Sequence, residues 1–401
     1  MTIKCLRDVW LVILLLVSIC LLLAAAVPLA AQEKTIWPGK DWQTDDPSKV
    51  NLDGKTLSAF ADDLGSGKYA LIDSFDVIRC GKLVYRRTYS HDYGTIYGME
   101  AKTKGPLNGH LTGPYNYFDP AWHPYYHGSS LHSMQSISKT VTSVIIGIAM
   151  ERGDFKVPLD TPVLRYFEAD KIKNLDDRKR RINLRHILTM STGLDWNEED
   201  DFTSMEASDD WVQYVIDKPM KAEPGEHFNY SSGNAMLLPY IFKKETGQDI
   251  EEYANKYLFQ PLEMEHYWKR TPLGIVDSEG GLFLRSGDLA KIGYLYLNNG
   301  MWNGKRLVSA DWVKQSLTPQ IDTWDGMKYG YLWWLYSRKD SSKVIWMGLG
   351  LGGQRLMVLP GEQVIAVITG WQLLKEDAPL PSLVDRLLPA IEIPSCNQRE
   401  H

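Results

Sequence analysis

A serine and a lysine three residues apart, Ser136 and Lys139, are the pair in this chain best suited to nucleophilic chemistry. They follow a polar, irregular segment and precede apolar residues at helical spacing, which are Val141, Val144, Ile145 and Ile148. Ser136 is therefore expected in the first turn of a buried helix, where free backbone N–H groups stabilise negative charge. A lysine whose pKa is lowered by burial can accept the serine proton and activate the hydroxyl. The alternative is a capping serine followed by a solvated lysine.

Tyr230 is the second candidate for chemistry. It follows the turn residues Pro224 and Gly225 and precedes small polar residues that open a helix. A tyrosine there can share a proton with Ser136 or hand one to a leaving group, provided that a nearby ammonium favours the phenolate. The alternative is a half-buried ring whose hydroxyl is bonded by the backbone.

A glycine-rich run at residues 348–353 leads into a strand-like segment. Glycines let a backbone edge approach a ligand closely. The N–H groups of Gly352, Gly353 and Gln354 could join that of Ser136 in holding an oxyanion. The alternative is a simple turn between two strands.

The elements that must position these residues come from both ends of the chain. Strand-forming residues at 74–79 and 82–89 predict a hairpin, and four more strand-like segments lie between residues 331 and 369. Helical signals dominate residues 135–267. We therefore expect an α/β (α+β) fold with one antiparallel sheet flanked by helices. The predicted α/β domain comprises residues 45–134 and 268–395, and the inserted, mostly helical domain comprises residues 135–267.

The order of the three motifs resembles a known family. Ser-x-x-Lys, a tyrosine about ninety residues later in Tyr-Ser-Ser, and a glycine-rich strand edge further on resemble the penicillin-recognising serine hydrolases, in their class C β-lactamase branch. Residues 182–194 and 280–290 resemble the corresponding segments of that branch. The resemblance implies a β-lactamase/transpeptidase-like fold. It also implies that Ser136 is the acyl-accepting nucleophile, Lys139 its proton acceptor and Tyr230 the acid/base for the leaving group.

Two departures from the β-lactamase pattern affect the expected substrate. Ser232 stands where class C β-lactamases have asparagine, and Leu351-Gly352-Gly353 replaces their Lys-Thr-Gly. That lysine helps to hold the carboxylate of a penicillin. Tyr-Ser-Ser with Gly-Gly-Gln resembles the 6-aminohexanoate-dimer hydrolase branch more closely. The resemblance therefore implies an esterase or amidase in which Ser232 supports catalysis. The alternatives are a β-lactamase or D-amino-acid peptidase, and a membrane-anchored penicillin-binding sensor without turnover.

The N-terminus has the order of a secretory signal. Lys4 and Arg7 precede an apolar run, which is followed by small residues up to Ala31. We expect residues 1–31 to direct export to the periplasm or the cell exterior, with cleavage near Ala31. The apolar run is also long enough for a retained inner-membrane anchor.

Composition and charge narrow the kinds of molecule that the protein is expected to bind. A net charge of -6 argues against a nucleic-acid surface. The three histidines between residues 123 and 132 lack interleaved carboxylates, and the predicted chemistry needs no metal or organic cofactor. A small-molecule ester, amide or peptide-like substrate is expected instead.

Beyond the signal, Cys80 and Cys396 can form a disulfide in an oxidising compartment or remain buried free thiols.

Overall fold

An eight-stranded antiparallel sheet, built from both ends of the chain, is the frame of the computed structural model, which describes residues 35–105, 107–338, 342–375 and 380–392. The strands of these ranges are β1 Ile72–Arg79, β2 Lys82–Thr88, β3 His132–Ser133, β4 His266–Trp268, β5 Leu282–Leu284, β6 Met301–Trp302, β7 Lys305–Arg306, β8 Ile321–Asp322, β9 Lys328–Tyr329, β10 Trp334–Ser337, β11 Val344–Gly350, β12 Gln354–Leu359 and β13 Val364–Gly370. The large sheet has the strand order β2-β1-β13-β12-β11-β10-β9-β8. The remaining strands form a three-stranded sheet, β3-β5-β4, and the hairpin β6-β7.

The α-helices lie mainly between the two halves of the large sheet in the sequence. They are α1 Gly54–Gly65, α2 Tyr93–Ile96, α3 Ile137–Glu151, α4 Leu184–Leu188, α5 Glu198–Glu206, α6 Trp211–Ile216, α7 Ser232–Thr246, α8 Ile250–Ala254, α9 Ser286–Leu297, α10 Ala310–Ser316 and α11 Leu380–Leu387. The predicted antiparallel sheet flanked by helices is therefore confirmed. Nothing in the structure tests the division into domains at residues 135 and 267, which stays a prediction.

Strands β12 and β13, in the interior of the large sheet, are buried along their whole length, as expected for strands that are covered on both sides. Strand β1 is buried as well, although it carries Asp73, Asp76 and Arg79. Helix α9 packs against β12 and β13, and Gly293 permits this contact because a Cβ there would lie 2.9 Å from Val358. Helix α3 packs against β11 and β12. This packing fixes the start of α3 beside the end of β11.

Helix α7 runs without interruption from Ser232 to Thr246 although it contains Pro239, a residue that usually kinks or ends a helix. Proline lacks the N–H that would bond the carbonyl of Ala235. The hydroxyl of Ser278 donates to that carbonyl instead, at 2.8 Å, so the helix keeps its hydrogen bonding through a tertiary contact.

Cys80 lies in the turn between β1 and β2 and is disulfide-bonded. The alternative of a buried free thiol is therefore wrong for this residue. Cys396, its predicted partner, and residues 1–31, the predicted signal, lie outside the described residues. Within the described ranges, no helix is both long and apolar enough to cross a membrane.

Candidate active site

Ser136 lies where strand β3 turns into helix α3. Gln135 makes the turn with a positive φ of 48°, a left-handed conformation that is uncommon for a residue other than glycine. Ser136 occupies the N-cap position, but its side chain makes no capping hydrogen bond. The alternative of a capping serine is therefore wrong, and the hydroxyl is available to other groups.

Lys139 is buried beside Ser136, so the alternative of a solvated lysine is also wrong. Its side chain is 1% exposed. The Nζ atom donates to Ser136 Oγ at 2.8 Å, to Ser232 Oγ at 3.1 Å and to the carbonyl oxygen of Glu279 at 2.7 Å. Three acceptors thus surround the amine, and one of them is the predicted nucleophile.

Tyr230 forms the wall next to this pair. The Nζ atom of Lys139 lies 5.2 Å from the centroid of the tyrosine ring, and the ring leans on Trp334 with centroids 5.7 Å apart. Burial, followed by the carboxylate of Glu198, raises the pKa of the phenol well above its usual value, although a hydrogen bond with Ser136 opposes this shift. Tyr230 is therefore a neutral phenol near pH 7, and the phenolate considered from the sequence is not favoured.

Ser232 and Glu198 complete the polar wall. Ser232 is the first residue of α7, and its hydroxyl donates to Glu198 Oε1. The Ser232 N–H and the Trp196 indole N–H both donate to Glu198 Oε2, at 2.8 and 2.6 Å. Glu198, which begins helix α5, is not among the site residues predicted from the sequence. The Asn197 N-cap before a run of acidic residues signals such a helix start, but no sequence motif links it to Ser136.

Of the predicted oxyanion residues, Ser136 lines the cavity, whereas Gly352, Gly353 and Gln354 do not. Gly352 and Gln354 pack toward the end of β13, where Gln372 donates to the Gly352 carbonyl and the Gln354 side chain bonds the backbone of Gly370. Gly350 and Leu351 line the cavity in their place. The reason is that β11 runs to Gly350, into the glycine-rich run at residues 348–353.

The backbone at the end of β11 approaches the nucleophile closely. A Cβ on Gly350 would lie 2.5 Å from the carbonyl oxygen of Met134, two residues before Ser136. Among the described residues, no hydrogen-bond partner is present for the N–H of Ser136 or of Leu351. These two donors can stabilise an oxyanion beside the Ser136 hydroxyl.

The cavity over Ser136 has a volume of about 550 Å³. Its polar side carries Ser136, Tyr230, Ser232, Glu198 and Glu279. The rest of its wall combines apolar side chains with a few polar ones: the apolar ones are Leu107, Phe202, Trp324, Trp334, Leu349 and Leu351, and the polar ones are Gln135, Glu199, Thr203 and Arg355. A reacting carbonyl can thus meet the polar groups while an apolar chain rests against the rings.

A buried group of charged side chains lies behind Lys139. Glu206, Lys269, Asp277 and Glu279 are each at most 3% exposed. Burial raises the pKa of Glu279 to about 8, and the neighbouring Asp277 adds to this shift while Lys139 opposes it. Burial also raises the pKa of Glu206 and lowers that of Lys269. The charge next to the lysine therefore depends on pH near neutrality.

Metal chemistry receives no support from these side chains. Over the part of the chain that the structure describes, no three histidine, cysteine or acidic residues are grouped so that they could hold a metal ion.

The chain is similar to a known protein family and to a known hydrolase. The Beta-lactamase family matches residues 73–379, more than half of the chain. The 6-aminohexanoate-dimer hydrolase of Paenarthrobacter ureafaciens is 23% identical over 269 residues, which cover 60% of this chain and 66%, slightly less than two thirds, of that protein.

Two solved structures share the fold. A Bacillus anthracis protein provisionally assigned as a 6-aminohexanoate-dimer hydrolase has a TM-score of 0.63 at 18% identity, covering 89% of this chain and 88% of that one. A D-stereospecific amidohydrolase from Streptomyces sp. has a TM-score of 0.57 at 14% identity, covering 82% and 98%. The resemblance seen in the sequence is confirmed, and the chain belongs to the beta-lactamase family.

Proposed function

We propose that this protein hydrolyses carboxylic esters or amides through an acyl-enzyme on Ser136. The observation that carries the proposal is the 2.8 Å contact between the buried Lys139 amine and the Ser136 hydroxyl, in a cavity shared with Tyr230. An amine and a hydroxyl in this arrangement form an activated nucleophile when the amine is neutral. Family membership supports the same reaction class.

Acylation begins with attack of Ser136 Oγ on the substrate carbonyl carbon, while the hydroxyl proton passes to Lys139. The carbonyl oxygen becomes an oxyanion, to which the N–H groups of Ser136 and Leu351 donate. When the bond to the alcohol or amine breaks, Tyr230 donates its proton to the leaving group and regains one from Lys139. Water then attacks the acyl-enzyme and releases the acid.

The preferred substrates in this proposal are linear amides or esters with an apolar chain. Support comes from the aromatic and aliphatic wall of the cavity. Leu351-Gly352-Gly353 supplies neither the cation nor the hydroxyl that class C β-lactamases place on this edge. We therefore expect slow β-lactam hydrolysis.

The protein acts outside the cytoplasm in this proposal. Residues 1–31 have the charged, apolar and small-residue order of a signal. The disulfide at Cys80 also supports an oxidising compartment.

The decisive experiment compares Ser136→Ala with Ser143→Ala on a panel of esters, linear amides and D-amino-acid peptides. Ser143 lies on the same helix, its buried hydroxyl has no partner among the described residues, and it does not line the cavity. Ser136→Ala should abolish turnover with an unchanged melting temperature, while Ser143→Ala should remain active. Undiminished turnover in Ser136→Ala would rule out the proposed reaction.

A further inference from the structure

The hydroxyl of Ser232 lies between the amine of Lys139 and the carboxylate of Glu198. Its oxygen lies 3.1 Å from Lys139 Nζ, and it also contacts Glu198 Oε1. A carboxylate only accepts hydrogen bonds, so the single hydroxyl proton of Ser232 must point to Glu198. The lone pairs of the Ser232 oxygen then face Lys139, and Ser232 can only accept from the amine.

Glu198 is itself fixed in orientation. Oε2 accepts from the Ser232 N–H at 2.8 Å and from the Trp196 indole N–H at 2.6 Å, while Oε1 accepts from the Ser232 hydroxyl. Three donors from two different segments therefore converge on one carboxylate. This arrangement leaves it little freedom to rotate or to release Ser232.

The fixed direction of the Ser232 hydroxyl hydrogen, toward Glu198, determines where a neutral Lys139 directs its lone pair. A neutral amine has two hydrogens, and two obligate acceptors lie within hydrogen-bond distance: the Ser232 oxygen at 3.1 Å and the carbonyl oxygen of Glu279 at 2.7 Å. The Glu279 carboxylate is further from the amine, at 3.6 Å. When both hydrogens are used there, the remaining position of the amine faces Ser136 Oγ at 2.8 Å. That position is the lone pair, which is what proton abstraction from Ser136 requires.

We propose that Glu198 is a positioning residue that acts through the Ser232 hydroxyl to direct the lone pair of Lys139 at Ser136. This inference rests on the proposed function, in which Ser136 is the nucleophile. Glu198 also lines the cavity, so the competing role is direct recognition of a substrate ammonium group. The two roles differ in what they do to a neutral substrate.

The test measures the single-turnover rate of acylation by a neutral p-nitrophenyl ester and by a matched ester that carries an ammonium group. Glu198→Gln keeps the size of the side chain, but its amide can donate a hydrogen to Ser232. The Ser232 hydroxyl hydrogen is then no longer forced to point at residue 198. Ser232→Ala removes the acceptor itself. Each should slow acylation about 10- to 100-fold, equally for both esters and with KM little changed, because misdirecting a general base affects the chemical step.

The double variant, Glu198→Gln with Ser232→Ala, tests whether Glu198 acts through Ser232. Glu198 is proposed to act on Lys139 only through Ser232, and a p-nitrophenolate leaving group needs no proton from Tyr230, so Glu198→Gln in the Ser232→Ala background should cause no further loss. Asp200→Asn is the matched control: it removes a carboxylate from the same first turn of α5, it is exposed, and it does not line the cavity. This control should acylate at the wild-type rate.

Several results would overturn the inference without affecting the proposed function. These are wild-type acylation by either single variant, losses that multiply in the double variant, and a loss confined to the cationic ester through its KM. If Glu198→Gln does not fold, Ser232→Ala alone decides, because wild-type acylation by that variant contradicts the inference. Failure of the proposed function would instead appear as turnover by Ser136→Ala.

Discussion

At the scale of single residues, the protonation state of Tyr230 determines the role that it can take. Its pKa is raised by burial and by the carboxylate of Glu198. A phenol that holds its proton can serve as an acid for the leaving group but is a poor base for Ser136. The buried Lys139 is left as the base.

Tyr230→Phe should therefore lower kcat/KM by about 10²- to 10⁴-fold for amides. The loss should be smaller for esters, because an alcohol is a better leaving group than an amine and needs less protonation. The measurement is kcat/KM on an ester and an amide of the same acid. Equal losses on both would contradict the assignment of Tyr230 as the acid for the leaving group.

The sequence predicts the site residues that belong to short motifs. Ser136 and Lys139 are one helical turn apart, so local geometry alone brings them together. Glu198 and Glu279 come from separate segments, and only the tertiary fold places them at Ser232 and Lys139. Nothing in their local sequence distinguishes them from surface carboxylates.

At the scale of elements, the packing of helix α3 fixes the nucleophile. Residues 137–149 of this helix are all buried, so it is held on every side. Gly147 lies against Trp312 of helix α10, and a Cβ at Gly147 would lie 2.4 Å from the indole ring. The contact depends on the absence of a side chain.

Gly147→Ala should destabilise the fold by about 1–3 kcal/mol, as expected for overpacking in a close-packed core. Gly54→Ala in helix α1 is the matched control, since a Cβ there meets only ordinary contacts, the nearest at 3.6 Å. Urea unfolding of both variants measures the effect. A Gly147→Ala midpoint equal to that of Gly54→Ala would show that α3 can shift without cost.

Two elements of the large sheet differ in how well the sequence predicts them. The hairpin of β1 and β2 follows from strand-forming residues around Cys80-Gly81 and forms as expected. The end of β11 does not follow, because the run of glycines at residues 348–353 marks a turn without fixing which residue begins it. Close approach of Gly350 to Met134 settles the boundary, and that contact is invisible in the sequence.

At the scale of the whole molecule, the site forms where separate parts of the chain meet. Helix α3 brings Ser136 and Lys139, helix α7 brings Ser232, and strand β11 brings the backbone edge. Strands from both ends complete the sheet on which these elements pack. The predicted antiparallel sheet follows from the strand patterns, whereas its register depends on contacts between distant strands.

In the proposed reaction, catalysis passes through an ester on Ser136. Rapid mixing with an activated ester, followed by acid quenching and intact-mass measurement, detects this intermediate. We expect an acyl adduct that maps to the peptide containing Ser136, forms and decays at the rate of turnover, and is absent from Ser136→Ala. Turnover without this adduct, or an adduct on another residue, would rule out the Ser136 ester, and an adduct that never decays would identify a sensor instead of a hydrolase.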